Sequence, residues 1–240
     1  MATTSISQSL ALAIEHHRAG RPDDAEALLR QILESQPRHA EALRWLGLGA
    51  QSLGRLPEAL GFVTQALEIN PRSIVYLNDR GNLLLALEQP AAAALDYESA
   101  LAIAPGNPHL LNGLGNALQA QGRVEPAFEA FQTALGINPQ FAEAHHNCAL
   151  LLLEGGQYET ALAFFRLAAR LKPDYASAHR HMADALRALG REEEALEASR
   201  VASQLAPDDH SIMKPLVRQE CTLTHLPSPE SGIDQGAGGR

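Results

Sequence analysis

Six prolines, Pro37, Pro71, Pro105, Pro139, Pro173 and Pro207, each stand 34 residues from the next, and no other feature of the sequence restricts the fold so strongly. A fixed period of this size belongs to stacks of small supersecondary units, each too short to bury its own apolar face and each packed on its neighbours. Placing each proline thirty-second in its unit divides the chain into 6–39, 40–73, 74–107, 108–141, 142–175 and 176–209. The 240 residues are therefore read as a run of repeats, not as one or two ordinary globular domains.

The units are written for helices. Apolar residues make up 45% of the chain and aromatics only 5%. The balance is carried by Ala and Leu, which favours helices in close contact through small side chains. In "LRWLGLGAQSLGRLPEAL", "LLNGLGNALQAQGRVEPAF" and "HRHMADALRALGREEEAL" a large apolar residue is followed by Gly or Ala, then by Gly seven residues later and Ala five beyond that. Leu46, Gly47, Ala59 and Ala66, with their counterparts Leu114, Gly115, Ala127 and Ala134, fall where two antiparallel helices must approach closely. Gly54, Gly122, Gly156 and Gly190 stand where the first helix stops and the chain reverses, a place that favours a left-handed backbone. Pro22, Pro57, Pro90 and Pro126 follow those turns and open the second helix, where a missing N–H costs nothing. "NPRS", "APGN", "NPQF" and "KPDY" then lead into the next unit.

This pattern resembles the tetratricopeptide repeat. The resemblance implies an all-α fold, a right-handed superhelical solenoid of antiparallel helix pairs over 6–209. Two units depart from it. The third has Arg80 where Leu is usual and Glu88 where the turn Gly is usual, so its first helix is expected to be longer or less regular. The first has Ser9, Ala13 and Leu29 at the usual large, glycine and aromatic positions, and reads as a terminal cap. Residues 1–5 are expected to form a flexible N-terminus and 210–226 an imperfect capping helix interrupted by Pro215. The segment 227–240, "PSPESGIDQGAGGR", has almost nothing to bury and is expected to be disordered.

Charge removes several functions. A net charge of −9 argues against a nucleic-acid binder, whose affinity comes from clustered Lys and Arg, and disfavours anionic membrane surfaces. The N-terminus lacks a basic segment ahead of an apolar one, and no apolar run approaches a membrane span. A cytoplasmic location without membrane insertion is expected. Cys148 and Cys221 have no metal or redox spacing, and Cys148 falls where a small buried residue is wanted. No nucleophile motif or phosphate-binding turn is present, and "REEEAL" reads as a solvated helix start, so no catalytic residue and no cofactor is assigned. His145, His146, His179 and His181 do not make a metal site, since residues two apart on a helix face different ways.

The resemblance implies that first helices line a concave groove. Arg44, Trp45, Asn78, Asp79, Asn82, His109, Asn112, Asn116, Gln119, His146, Asn147, His181 and Asp184 are then the groove residues. Spaced amides offer donors and acceptors suited to the backbone of an extended peptide. They also suit bonds between neighbouring helices, which is the competing account of the Asn series. Asn116 and Asn147 match the two amides of the carboxylate clamp found in some tetratricopeptide proteins, but Asn112, Ser177 and His181 replace its cations. Trp45 reads equally as an exposed anchor beside Arg44 and Arg18 or as part of the core. The expected function is a non-enzymatic scaffold or adaptor for a protein or peptide partner. One alternative is a substrate-presenting module of a bacterial glycosyltransferase, sulfotransferase or methyltransferase system; another is a self-assembling homo-oligomer.

Overall fold

The computed structural model describes residues 5–207, and every regular element in that range is an α-helix. Twelve helices follow in order: α1 (Ile6–Arg18), α2 (Pro22–Ser35), α3 (Ala40–Ser52), α4 (Leu56–Ile69), α5 (Ile74–Ala86), α6 (Pro90–Ile103), α7 (Pro108–Ala120), α8 (Val124–Ile137), α9 (Ala142–Glu154), α10 (Tyr158–Leu171), α11 (Ala176–Ala188) and α12 (Glu192–Leu205). Odd-numbered helices have 13 residues and even-numbered ones 14, so each pair restarts with the period of the prolines. The expected capping helix at 210–226 and the tail at 227–240 lie outside the described residues, as do residues 1–4.

The chain falls into two compact units divided after Cys148. In the first, each helix from α1 to α7 packs on the next, and first helices also touch one another, α1 with α3 and α5 with α7. In the second, α10 packs on α11 and α11 on α12. This is the all-α solenoid construction of stacked antiparallel helix pairs.

Local chemistry explains where each helix begins and ends. Ser5 caps α1 in a reciprocal capping box with Gln8, and the side chains of His39, Ser73 and Asn107 accept backbone N–H bonds at the starts of α3, α5 and α7. Pro22 and Pro90 are the first residues of α2 and α6, and Pro57 is the second of α4. The turns after α1, α3, α7, α9 and α11 each place a glycine at φ between 71 and 74°. Unit three has Glu88 at that place, with φ 57°. Its first helix is nonetheless neither longer nor irregular: α5 has the same 13 residues as its counterparts. The repeat geometry overrides the residue, and Glu88 accepts a conformation that L side chains disfavour.

Small residues set the helix spacing. Ala59, Ala66, Ala127 and Ala134 are completely buried between paired helices. A Cβ on Gly47 would lie 2.6 Å from Val63, and one on Gly115 would lie 2.4 Å from the Phe131 ring. The closest fit surrounds Tyr97, whose ring would meet a Cβ at 2.8 Å on Gly81 of α5 and at 2.5 Å on Gly113 of α7. Tyr97 thus wedges from α6 between two first helices, and only glycine at both contacts admits it.

Unit three holds one buried ion pair. Arg80 donates from Nε to Oδ2 of Asp96 at 2.7 Å and from Nη2 to Oδ1 at 2.6 Å, a bidentate contact between α5 and α6. Asp96 is 4% exposed. The carboxylate raises the Arg80 pKa further above its ordinary value. The unexpected Arg80 is therefore answered by a second polar substitution on the facing helix.

Candidate protein-interaction site

Side chains on the first helices of residues 5–148 join neighbouring units by a recurring set of bonds. The repeat places equivalent residues 34 apart, and the bonds connect residues 35 apart, one position on in the next unit. Arg44 on α3 donates from Nε to Oδ2 of Asp79 on α5 at 2.5 Å. Glu41 accepts from the Tyr76 hydroxyl at 3.1 Å and from Nε1 of Trp45 at 2.9 Å. Burial, with the nearby Glu41 charge, raises the Tyr76 phenol pKa. Asn147 on α9 donates from Nδ2 to Oδ1 of Asn112, and also to Oδ1 of Asn116 on α7, both at 2.9 Å.

The Asn147 amide is oriented from behind. Nδ1 of His146, a buried ring, lies 3.3 Å from Oδ1 of Asn147, which leaves the Asn147 nitrogen to serve α7. Asn112 and Asn116 both use their oxygens in these bonds, so their outward hydrogen-bonding groups are N–H donors. Asn82 is arranged in the same way: its Oδ1 accepts from the hydroxyl of Tyr97 at 2.7 Å while the residue remains exposed. Burial pushes the Tyr97 pKa up, which keeps that hydroxyl protonated and donating.

The other expected groove residues are placed as follows. Trp45 is half-buried, packed against the cluster that contains Leu29 and Leu46, edge-on to His17 at 5.4 Å and 5.3 Å from the Arg44 guanidinium. It belongs largely to its own fold. His109 is exposed with its ring edge-on to Phe141 at 4.7 Å, and Gln119 is half-buried. Asn78 is half-buried on α5. In the second unit the ring of His181 stacks on Phe165 at 5.9 Å. Asp184 accepts from Arg187 at 2.9 Å, and burial raises its pKa against the opposing charge of Arg187.

The remaining histidines have structural contacts. Nε2 of His145 lies 2.8 Å from the Pro139 carbonyl, and Nε2 of His179 lies 3.3 Å from that of Pro173. Burial lowers the His145 pKa. Among the described residues no three His, Cys, Asp or Glu side chains are grouped to hold a metal, and no helix is long and apolar enough to cross a membrane.

Sequence reasoning did not find Glu41, Tyr76 or Tyr97 as partners of the expected groove residues, nor Asp96 as the partner of Arg80. Asp96 left a signal, a carboxylate within an otherwise apolar stretch of α6 in the same unit as the aberrant Arg80. Glu41 and Tyr76 left a weaker one, which becomes visible only when residues are compared at a spacing of 35 in place of 34.

Stacked helix pairs that present side chains on a shared first-helix face define a helical-repeat protein. Models of the tetratricopeptide repeat match residues 10–74, 84–151 and 152–219. The chain belongs to the tetratricopeptide repeat family, and its repeats support a protein-interaction scaffold. Among curated proteins none matches the sequence. Several solved structures share the fold. PilW, described as a widely conserved type IV pilus biogenesis factor, is 24% identical with a TM-score of 0.77 over 88% of this chain and 98% of its own. PilF of Pseudomonas aeruginosa is 20% identical with a TM-score of 0.72, over 85% of this chain and 92% of its own. YrrB, described as having an unusual peptide-binding site, is 24% identical with a TM-score of 0.53, over 77% and 94%. At these identities the likeness shows the fold alone.

Proposed function

We propose that the chain is a non-enzymatic adaptor that binds a peptide segment of a partner protein along the first-helix face of α3, α5, α7 and α9. The observation that carries this reading is the row of amides on that face, in which Asn82, Asn112 and Asn116 each have an oxygen held by the protein. A side chain fixed in this way presents its remaining polar atoms in a set geometry, so little conformational freedom is lost when a peptide docks. The YrrB description of a peptide-binding site on the same fold supports a peptide as ligand.

Affinity capture from the native cell tests the proposal, with the full chain and an Asn82→Ala/His109→Ala variant run side by side and read by mass spectrometry. A partner retained by the parent chain and lost by the variant, with helicity unchanged, is the expected result. Equal retention would move the binding surface away from this face.

A further inference from the structure

On the second helix α6 the usual placing of polar and apolar residues is exchanged. Asp96 is buried in its pair with Arg80, whereas Leu95 beside it is 64% exposed, the most exposed large apolar side chain of residues 5–148. Ala91, Ser99 and Ala102 share the outward face with Leu95 and are exposed too. The Ser99 hydroxyl donates to the Leu95 carbonyl at 2.7 Å, which commits its only donor to its own helix. Places equivalent to Leu95 on the other second helices hold Ala27, Gly61, Glu129, Ala163 and Glu197, and those equivalent to Ala91 hold Asp23, Pro57, Glu125, Glu159 and Glu193. Every other second helix exposes at least two charged side chains, and α6 exposes Glu98 alone. A continuous apolar face on a helix that elsewhere in the array is charged marks a surface made to be covered.

The edge of this face is acidic. Second helices of successive units lie side by side: Arg55, the residue before α4, pairs with Glu26 of α2 at 2.6 Å, and Arg30 of α2 pairs with Glu58 of α4 at 3.5 Å. The equivalent places between α4 and α6 hold Gln89 with Leu60 and Thr64 with Ala92, which carry no charge. Between α6 and α8 they hold Arg123 with Ala94 and Glu98 with Pro126, so the closed set of ion pairs is not rebuilt there either. Glu125 and Glu129 of α8, both exposed, flank Pro126 in the sequence. The apolar strip is thus edged by Glu98, Glu125 and Glu129 beside one guanidinium, that of Arg123.

We infer that the outward face of α6 is a docking surface separate from the first-helix face, and that its occupant is a basic amphipathic helix of a partner protein. Leu95 stands between small residues four positions to either side, Ala91 and Ser99, so another helix can come close and receive the leucine in a hole between its own apolar residues. Lys or Arg along the edge of that helix meets Glu98, Glu125 and Glu129, which sets its orientation and excludes acidic partners. A second copy of this chain fits worse, because it carries the same net charge of −9 and its α6 would bring the same carboxylates onto these. The surface does not involve the first helices: α6 meets α5 and α7 through its buried side, which holds Ala93, Asp96, Tyr97 and Ala100.

The test uses the full chain and a displayed library of alanine-based helical peptides of about 18 residues, or five turns. One face is varied among Ala, Leu, Ile and Met and the other among Lys, Arg, Gln and Glu. Peptides that bind Leu95→Lys are removed first, and those that then bind the parent chain are sequenced and measured by fluorescence anisotropy. Lys and Arg are expected to be enriched beside the apolar stripe. Binding is expected to be about tenfold weaker or more to Leu95→Lys and about threefold weaker or more to Glu98→Gln/Glu129→Gln, and unchanged to Asn82→Ala/His109→Ala. Because Leu95 is exposed, Leu95→Lys should keep the circular dichroism spectrum and melting temperature of the parent. No peptide left after the removal step, or enrichment of Glu, would overturn the inference. So would binders lost by Asn82→Ala/His109→Ala, an outcome that would leave the first-helix reading standing. A parent chain that dimerises with concentration in sedimentation while Leu95→Lys stays monomeric would overturn it as well, and give the surface to a second copy.

Discussion

The buried Arg80–Asp96 pair makes an asymmetric prediction. Arg80→Leu restores the residue found at the equivalent places 46 and 114, and leaves Asp96, whose side chain is 6% exposed, without its cation. Losing one partner of a buried pair costs about 3–5 kcal/mol, because the remaining charge cannot regain water. Asp96→Ala removes the other partner, but the Arg80 side chain is 29% exposed and its long stem can carry the guanidinium outward. That variant is expected to lose only about 1–3 kcal/mol. The double variant recreates the Leu114 and Ala130 combination of the next unit, and is expected to lie within about 1 kcal/mol of the parent or above it, since apolar replacements of buried pairs are often neutral or stabilising. Urea unfolding of the four proteins gives the coupling energy, and hydrogen exchange at α5 and α6 shows whether the loss is local, as a repeat array permits. Additive losses in the double variant, or an Asp96→Ala loss larger than that of Arg80→Leu, would refute the reasoning.

Three further outcomes are expected. Glu88→Gly should stabilise the chain by about 1 kcal/mol in a thermal melt, because Glu88 has a φ of 57° and glycine adopts it without strain. Ala127→Leu should cost about 1–3 kcal/mol, since Ala127 is completely buried between α7 and α8 and the added atoms have no room; an unchanged unfolding midpoint would contradict the close approach of that helix pair. Burial pushes the Cys148 thiol up to about 12, so in a Cys221→Ser background its labelling by a thiol reagent at pH 8 should await unfolding. The same raised value makes the contribution of Cys148 to stability full below the ordinary thiol range, with loss setting in as alkaline pH lets the unfolded chain ionise first.

The periodic part of this structure was legible in the sequence because every signal for it is local. Helix starts, glycine turns and small contact residues recur at a spacing that needs no knowledge of partners, and Gly54, Gly122, Gly156 and Gly190 adopt the left-handed backbone expected of them. Unit three shows where local reading fails. Glu88 at the turn suggested an irregular α5, yet neighbouring helices hold that helix to the common length, a tertiary effect that residue preferences do not contain. The face was legible in its residues and illegible in its bonding. Asn112, Asn116 and Asn147 were singled out as amides, but their shared bonds depend on the offset between α7 and α9. Trp45 could not be assigned from sequence because its surroundings, His17 and the Leu29 cluster, come from the preceding unit.

Departures from the repeat gather in one place, and their positions give them a common physical sense. Arg80 and Asp96 tie α5 to α6 through two charge-assisted bonds. Tyr97, next to Asp96, fills the space between α5 and α7 that Gly81 and Gly113 leave, and its hydroxyl fixes Asn82. Each departure removes a freedom from α5: the ion pair resists sliding against α6, the wedged ring resists tilting toward α7, and the hydroxyl sets an amide on the first-helix face. An apolar pair like Leu114 and Ala130 would bury comparable surface without that directional restraint. Stability alone therefore does not account for a polar solution in one unit of six. Positional restraint does, since the Asn82 amide is held by the hydroxyl of a ring that Gly81 and Gly113 in turn hold in place.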